Sequence, residues 1–325
     1  MFDKVVVVTK KTLLEELVER FNSKEQARFY IEHSGSTFSF YESEDTAYKR
    51  SLDSLKRIFP SDVQLQFIER DFLPNFLFGE KDLVVILGPD GLVINTAKYL
   101  NGQPILAINP DVNIIDGVLI PFTIDKAVKA MSKIFNGKYH SKKISMAKAE
   151  LNDGQVLYGV NDLFIGPSTH ISFRYKLNYM GMEETQSSSG IIVSTGAGST
   201  GWFKSIITGA SGIHNAFFEG TSASPKTIKK TDKNKQEASS ETINTGFPWD
   251  SPYLVFSIRE PFPSKISRTK IVYGAITQGT YLKIESHIPQ NGVIFSDGIL
   301  KDYLEFNSGK IAKIGVAEKQ AHLIT

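Results

Sequence analysis

DLVVILGPDGLVINTAKYL, Asp82 to Leu100, decides how the first part of the chain folds. Leu83 to Leu87 is an unbroken apolar run of the kind that forms a strand buried on both faces. It ends in Gly88-Pro89-Asp90-Gly91, and a helical pattern follows at once, through Leu100. A turn from the carboxyl end of a parallel strand into a helix N-terminus presents unpaired backbone N–H groups and the positive end of the helix dipole, which suits phosphate. Gly88 and Gly91 let the backbone approach such a group. Asp90 adds a carboxylate beside it, placed to act as general base toward a hydroxyl nucleophile. Pro-Asp-Gly is also a common turn signature with no chemistry attached.

Outward from this stretch, the first third alternates strands and helices. Val5 to Val8 is β-branched, and Thr12 to Phe21 spaces Leu13, Leu14, Leu17, Val18 and Phe21 as a helix does. Val63 to Ile68 and Pro104 to Asn109 read as further strands, and an amphipathic helix at about Ile124 to Phe135 closes the region. That alternation predicts a parallel sheet covered by helices. From about Lys142 strands follow one another. They are Val156 to Ile165, Ile171 to Tyr179, Gly190 to Ser194, Tyr253 to Ile258, Lys270 to Ala275, Tyr281 to Glu285, Val293 to Phe295 and Ile311 to Val316, with a hairpin turn at Asn152-Asp153-Gly154. This order predicts an antiparallel second domain, with residues 1–125 forming the first and 126–325 the second. A polar stretch at about 221–242 holds five lysines between Lys226 and Lys235. It reads as a surface loop, or as a flap that attracts phosphate.

Composition narrows the chemistry. Among 325 residues there is no cysteine, which excludes disulfides, thiolate catalysis and thiolate metal sites. The six histidines show no ligand spacing, so no metal site is expected among the side chains. A net charge of +2 gives no global field for nucleic acid. No apolar run is long enough to span a membrane, and MFDKVVVVTK is unlike a signal peptide; the expected location is cytoplasmic.

A second glycine-rich turn, GIIVSTGAGSTGW from Gly190 to Trp202, offers Ser194, Thr195, Ser199 and Thr200 after another strand. Gly196 to Gly201 matches GxGxxG, but the βαβ unit and the acid that a dehydrogenase needs after it are missing. Ala197-Gly198-Ser199-Thr200-Gly201 is one residue off a nucleophile elbow, without the partners of a serine hydrolase in order.

Taken together, GPDG, Asn161-Asp162 in GVNDLFIG, STGAGSTGW, FSIREP (Phe256 to Pro261) and FSDG (Phe295 to Gly298) resemble, in order, the motifs of the NAD kinases. Ser188-Ser189-Gly190 is similar to the mitochondrial-type branch. The resemblance implies a Rossmann-like domain followed by a β-sandwich, with the site in a crevice between them. It also implies transfer of the ATP γ-phosphoryl to the 2′-hydroxyl of NAD, giving NADP, with Mg2+ held through the nucleotide phosphates. Asp90 would activate that hydroxyl, and Asn161 and Asp162 would hold ribose or adenine. Thr195, Thr200, Gly201 and Ser205, with Ser199 in the same turn, would line the dinucleotide pocket. A homodimer is implied as well.

Two positions depart from the pattern. Pro89 stands where the family has glycine and has no N–H to donate, and Leu92 stands where the family has threonine. Losing one charge-assisted bond to phosphate costs about 1.5 to 3 kcal/mol. A non-catalytic nucleotide-binding homologue, or a kinase of another hydroxylated substrate such as a sugar or lipid, therefore stays open.

Overall fold

The computed structural model describes residues 2–60, 63–218, 245–299 and 301–325; the lysine-rich stretch at 221–242 lies outside them. The chain divides into two compact units, Met1–Ile144 with Glu318–Thr325, and Ser145–Ala317. Among the described residues no helix is long and apolar enough to cross a membrane.

The first unit is built on parallel strands. Its elements are β1 (Lys4–Thr9), α1 (Leu13–Phe21), α2 (Lys24–His33), α3 (Ser39–Lys56), β2 (Gln64–Glu69), β3 (Asp82–Leu87), α4 (Asp90–Ala97), β4 (Pro104–Ile108) and α5 (Ile124–Phe135). The strands lie in the order β2-β1-β3-β4, all parallel, and His322 and Leu323 near the chain's end pair parallel to β4. All six residues of β3 are buried, as its unbroken apolar run requires. Helix α1 starts where Thr12 caps Glu15 and the Glu15 side chain caps Thr12 in return.

The expected boundary at residue 125 moves to residue 144 because α5 packs into this unit. Ala127, Met131 and Ile134 join Val5, Val7, Leu83, Leu106 and Ile108 in one core. Helix α4 ends at Ala97 rather than Leu100; Tyr99 and Leu100 continue it only as tighter turns, their N–H groups bonding Thr96 and Ala97. Helices α2 and α3 are not apparent from the sequence pattern, because their residues are mostly polar and few of them are buried.

The sheet order reverses direction between β1 and β3, so the crevice for a ligand opens at the carboxyl ends of those two strands. The GPDG turn leaves β3 there. Tyr48 of α3 spans the same point: its buried phenol accepts the Lys10 N–H and donates to the Leu87 carbonyl, each at 3.1 Å. Burial pushes the phenol up to about 12, so it stays a donor at every ordinary pH.

The second unit is a sandwich of antiparallel sheets. It contains most of β5 (Ser141–Leu151), all of β6 (Val156–Gly159), β7 (Asp162–Pro167), β8 (Phe173–Tyr179), β9 (Met182–Ser188), β10 (Gly190–Ser194), α6 (Trp202–Phe218), β11 (Tyr253–Arg259), β12 (Tyr273–Thr277), β13 (Leu282–Ser286), β14 (Gly292–Ser296) and β15 (Tyr303–Glu305), and the first part of β16 (Ile311–Ile324), up to Ala317. One sheet runs β12-β11-β10-β7-β14-β15; facing it, β9, β8, β13 and the first part of β16 are paired in turn. Leu163, Ile165, Val193 and Phe256 meet Phe173, Leu177, Ile284 and Ile314 in the shared core. The hairpin at Asn152-Asp153-Gly154 joins β5 to β6 as expected.

The expected single strand Val156 to Ile165 is two, broken at Val160-Asn161. Strand β16 runs eight residues past the expected Val316, its final part pairing with β4. Strand β9, MEETQSS, escaped notice because its inward residues are polar: Glu184, Gln186 and Ser188 are buried. Their bonds explain the burial. Glu184 accepts the N–H groups of Lys270 and Ile271, and the Tyr175 hydroxyl donates to Gln186.

Replacing Tyr48 with Phe removes both the acceptor and the donor that tie β1 to β3. The variant is expected to lose about 1 to 3 kcal/mol of stability in chemical denaturation, with the same slope against denaturant.

Candidate functional site

In the first unit, the turn places Asp90 as the first residue of α4, with Pro89 as its N-cap in extended conformation. Pro89 supplies no side-chain cap. Its carbonyl accepts the Leu92 N–H at 2.9 Å. The Asp90 carboxylate is held from the other side by the loop that follows β4: Val118 donates its N–H to Oδ2 and Leu119 to Oδ1, each at 2.8 Å. Gly117, just before this pair, has φ +65°, and a Cβ there would lie 2.2 Å from the Ile120 side chain. Asn109 shapes the same loop by donating to the Ile115 carbonyl and accepting the Asp111 N–H. A carboxylate oxygen has two lone pairs, so each Asp90 oxygen keeps one free for a proton or a donor.

Gly88 and Gly91 behave differently. A Cβ on Gly88 would lie 2.8 Å from the Leu92 side chain, whereas Gly91 has open space around it. Leu92, where a hydroxyl was expected from the resemblance, is buried at 2% exposure and packs over Gly88 instead.

In the second unit, the break between β6 and β7 is caused by Asp297. Its carboxylate accepts three successive backbone N–H groups, from Val160 at 2.9 Å, Asn161 at 2.7 Å and Asp162 at 3.3 Å. The chain is thereby turned at Asn161-Asp162, and both side chains are left short of partners. Asn161 Oδ1 is buried and accepts no hydrogen bond among the described residues. An orphaned buried amide oxygen costs about 1 to 3 kcal/mol, a cost that a ligand N–H or O–H would relieve. Asp162 is buried at 8% exposure. Its carboxyl is pushed up to about 7, first by burial and then by the negative charge of Asp297.

The second glycine turn is wedged against this knot. Gly198 must be glycine because a Cβ would fall 2.0 Å from the Asn161 carbonyl oxygen. Thr195 and Ser199, expected to line a pocket, are fully buried and engaged within the turn. The Thr195 hydroxyl donates to the Val160 and Asn161 carbonyls and accepts the Gly198 N–H. The Ser199 hydroxyl donates to Gly196 at 2.7 Å. These two shape the loop rather than offering a hydroxyl outward. Thr200, Gly201 and Ser205 are exposed. Ser205 and Trp202 form part of the wall of a concave pocket of about 630 Å³ against β11 and β12. Trp202 stacks on Phe164 with centroids 5.6 Å apart, and the Arg259 guanidinium carbon lies 5.3 Å from the ring centroid.

Thus Asn161, Asp162, Thr195 and Ser199 come together, with Thr200, Gly201 and Ser205 following in the same turn and helix. Asp90, Gly88 and Gly91 form their own constellation in the first unit. Sequence reasoning gave Asp297 and Trp202 no role. FSDG held the signal for Asp297, since an aspartate before glycine at a strand end is placed to cap backbone N–H groups.

Solved structures with a similar fold are the yeast NADH kinase complexed with NADH and an NAD kinase from Archaeoglobus fulgidus in complex with ATP. The first has a TM-score of 0.58 and 15% identity, over 99% of this chain and 83% of that one. The second has a TM-score of 0.56 and 15% identity, over 99% and 93%. The fold is that of the NAD kinases. Curated NAD kinases also match in sequence. That of Aromatoleum aromaticum is 31% identical over 131 residues, 38% of this chain and 43% of its own length. Those of Acidithiobacillus ferrooxidans and Saccharolobus solfataricus are 32% identical over 143 residues and 26% over 121, covering 47% and 46% of their lengths. The chain therefore spans just under half the length of the curated NAD kinases it matches. No family model matches the chain.

The raised Asp162 carboxyl has a stability signature. Its folded value, about 7, exceeds its unfolded value, 3.8, so it favours folding below about pH 4 and loses that contribution as pH rises through 7. Asp162→Asn is expected to lie closest to the parent in thermal denaturation at pH 3, and to exceed it by a margin that grows from pH 4 to pH 7 and is full at pH 8. Equal differences at pH 3 and pH 8 would show that the carboxyl is not perturbed.

Proposed function

We propose that this chain is an NAD kinase, transferring the γ-phosphoryl of ATP to the 2′-hydroxyl of NAD. The observation that carries the reading is the placement of Asp90 as the first residue of a helix at the carboxyl end of β3, where the parallel sheet reverses order. The N-terminus of that helix favours phosphate, and the carboxylate keeps one lone pair on each oxygen after accepting Val118 and Leu119.

In the reaction Asp90 takes the proton of the ribose 2′-hydroxyl as its oxygen bonds to the γ-phosphorus. The bond from that phosphorus to the β–γ bridging oxygen breaks, and its electron pair leaves with ADP. The proton is then released to solvent. Asn161 Oδ1 accepts a donor from the adenosine, and an Asp162 carboxyl oxygen accepts a ribose hydroxyl; Thr200, Gly201 and Ser205 line the dinucleotide pocket. Thr195, Ser199 and Asp297 act indirectly, by fixing the loop that carries Asn161 and Asp162. Mg2+ enters on the ATP phosphates as part of the substrate; among the described residues no cluster of three His, Asp or Glu forms a metal site. The mitochondrial-type branch is the finer placement, on Ser188-Ser189-Gly190, with a cytoplasmic homodimer as the working form.

Purified protein with NAD, ATP and magnesium is expected to yield NADP. Asp90→Asn is expected to lower kcat by about 10²- to 10⁴-fold while NAD still binds. The absence of NADP at micromolar enzyme, across several phosphoryl donors, overturns the reading.

Pro89 and buried Leu92 favour one alternative, a nucleotide-binding homologue without turnover. In that case calorimetry detects NAD binding where the assay detects no NADP, and Pro89→Gly with Leu92→Thr restores product. Activity in the parent chain excludes it.

A further inference from the structure

The first unit carries a concave surface that the proposed reaction does not use. Helix α5 turns Ala127, Met131 and Ile134 toward the core. Its outer face holds Lys126, Lys129 and Lys133, spaced three and four residues apart so that their ammonium groups are neighbours. Lys138 follows just beyond the helix. All four are exposed, and all four line one pocket of about 510 Å³.

Among the described residues no side chain pairs with these ammonium groups. The one acid on α5 is Asp125, and none of the four lysines is ion-paired among the described residues. Lys126 stands in the first turn of α5, where the helix dipole disfavours a cation, so dipole compensation does not account for it. The floor of the pocket is apolar: Phe122 and Tyr139 are half-buried, and Ile134 and Ile324 are buried. His140 lies at the same rim.

Four unpaired ammonium groups around an aromatic floor suit a ligand with several negative charges at one end and a planar ring at the other. The volume falls in the range of small-molecule sites. We propose that this pocket binds the polyphosphate of a nucleoside triphosphate, with its base against Phe122 and Tyr139, as a site additional to the one around Asp90. Lysine serves there as a compact point charge for phosphate. An extended nucleic acid fits less well, because the lysines border a pocket of bounded volume with an apolar floor and the chain's net charge is only +2.

Lysine acetylation, read by mass spectrometry on the full chain with and without ATP, tests this independently of any kinase activity. ATP is expected to lower acetylation of Lys129 and Lys133 at least fivefold and to leave exposed Lys265 unchanged; tripolyphosphate should protect the same pair. Lys129→Gln with Lys133→Gln is expected to weaken tripolyphosphate binding about tenfold in calorimetry and to keep the parent's circular dichroism. Unchanged acetylation of these lysines under saturating ATP overturns the proposal. So does protection by single-stranded RNA that excess ATP does not relieve. Failure of the NADP assay would leave these outcomes intact, since none depends on turnover.

Discussion

One carboxylate organises the second unit. Asp297 gathers three consecutive N–H groups at Val160, Asn161 and Asp162, and in doing so ends β6, starts β7 and fixes the direction of two polar side chains. Charge-assisted bonds to backbone amides are among the stronger ones available inside a protein, so the turn is held in one conformation. The same charge then acts on its neighbour. Asp162 sits buried beside it and is pushed toward neutrality, while the Asn161 oxygen is left with no donor. The folded state alone gains nothing from leaving such groups unpaired, which supports the nucleotide-binding role proposed for them.

The two glycine turns solve different problems with similar residues. In STGAGSTGW the small residues serve closeness: Gly198 lies directly under the Asn161 carbonyl, and the hydroxyls of Thr195 and Ser199 bond within the loop. The turn is thus a wedge that supports the Asn-Asp pair. In GPDG the backbone stays open around Gly91, and the carboxylate points out of the helix start toward the amides of a separate loop. Packing dictates the glycines of STGAGSTGW, whereas GPDG keeps open space at Gly91.

Charge on this chain is arranged locally. A net charge of +2 conceals both an acidic pair in the second unit, buried Asp162 beside half-buried Asp297, and a row of exposed lysines along α5 in the first. The acids sit where hydroxyl and amide donors would be welcome, and the lysines sit where phosphate would be. Pro89 removes one N–H from the turn before α4, so under the proposed function phosphate there would rely on the helix dipole and the remaining amides.

The sequence by itself determined the alternation of the first unit, the succession of strands in the second, and the position of Asp90 at the end of β3. These follow from periodicity and turn chemistry, which act over a few residues. It misread the end of α4, the break at Val160-Asn161 and strand β9, where a polar network replaces the apolar pattern. Only the tertiary structure decided what Asp90 and Asp297 hold. Asp297 lies 135 to 137 positions from the N–H groups it binds, and Asp90 lies 28 and 29 positions from Val118 and Leu119. A carboxylate accepts from any backbone amide brought near it, whatever its side chain, so such pairings leave no residue signature at the donor and come into being only when the chain closes.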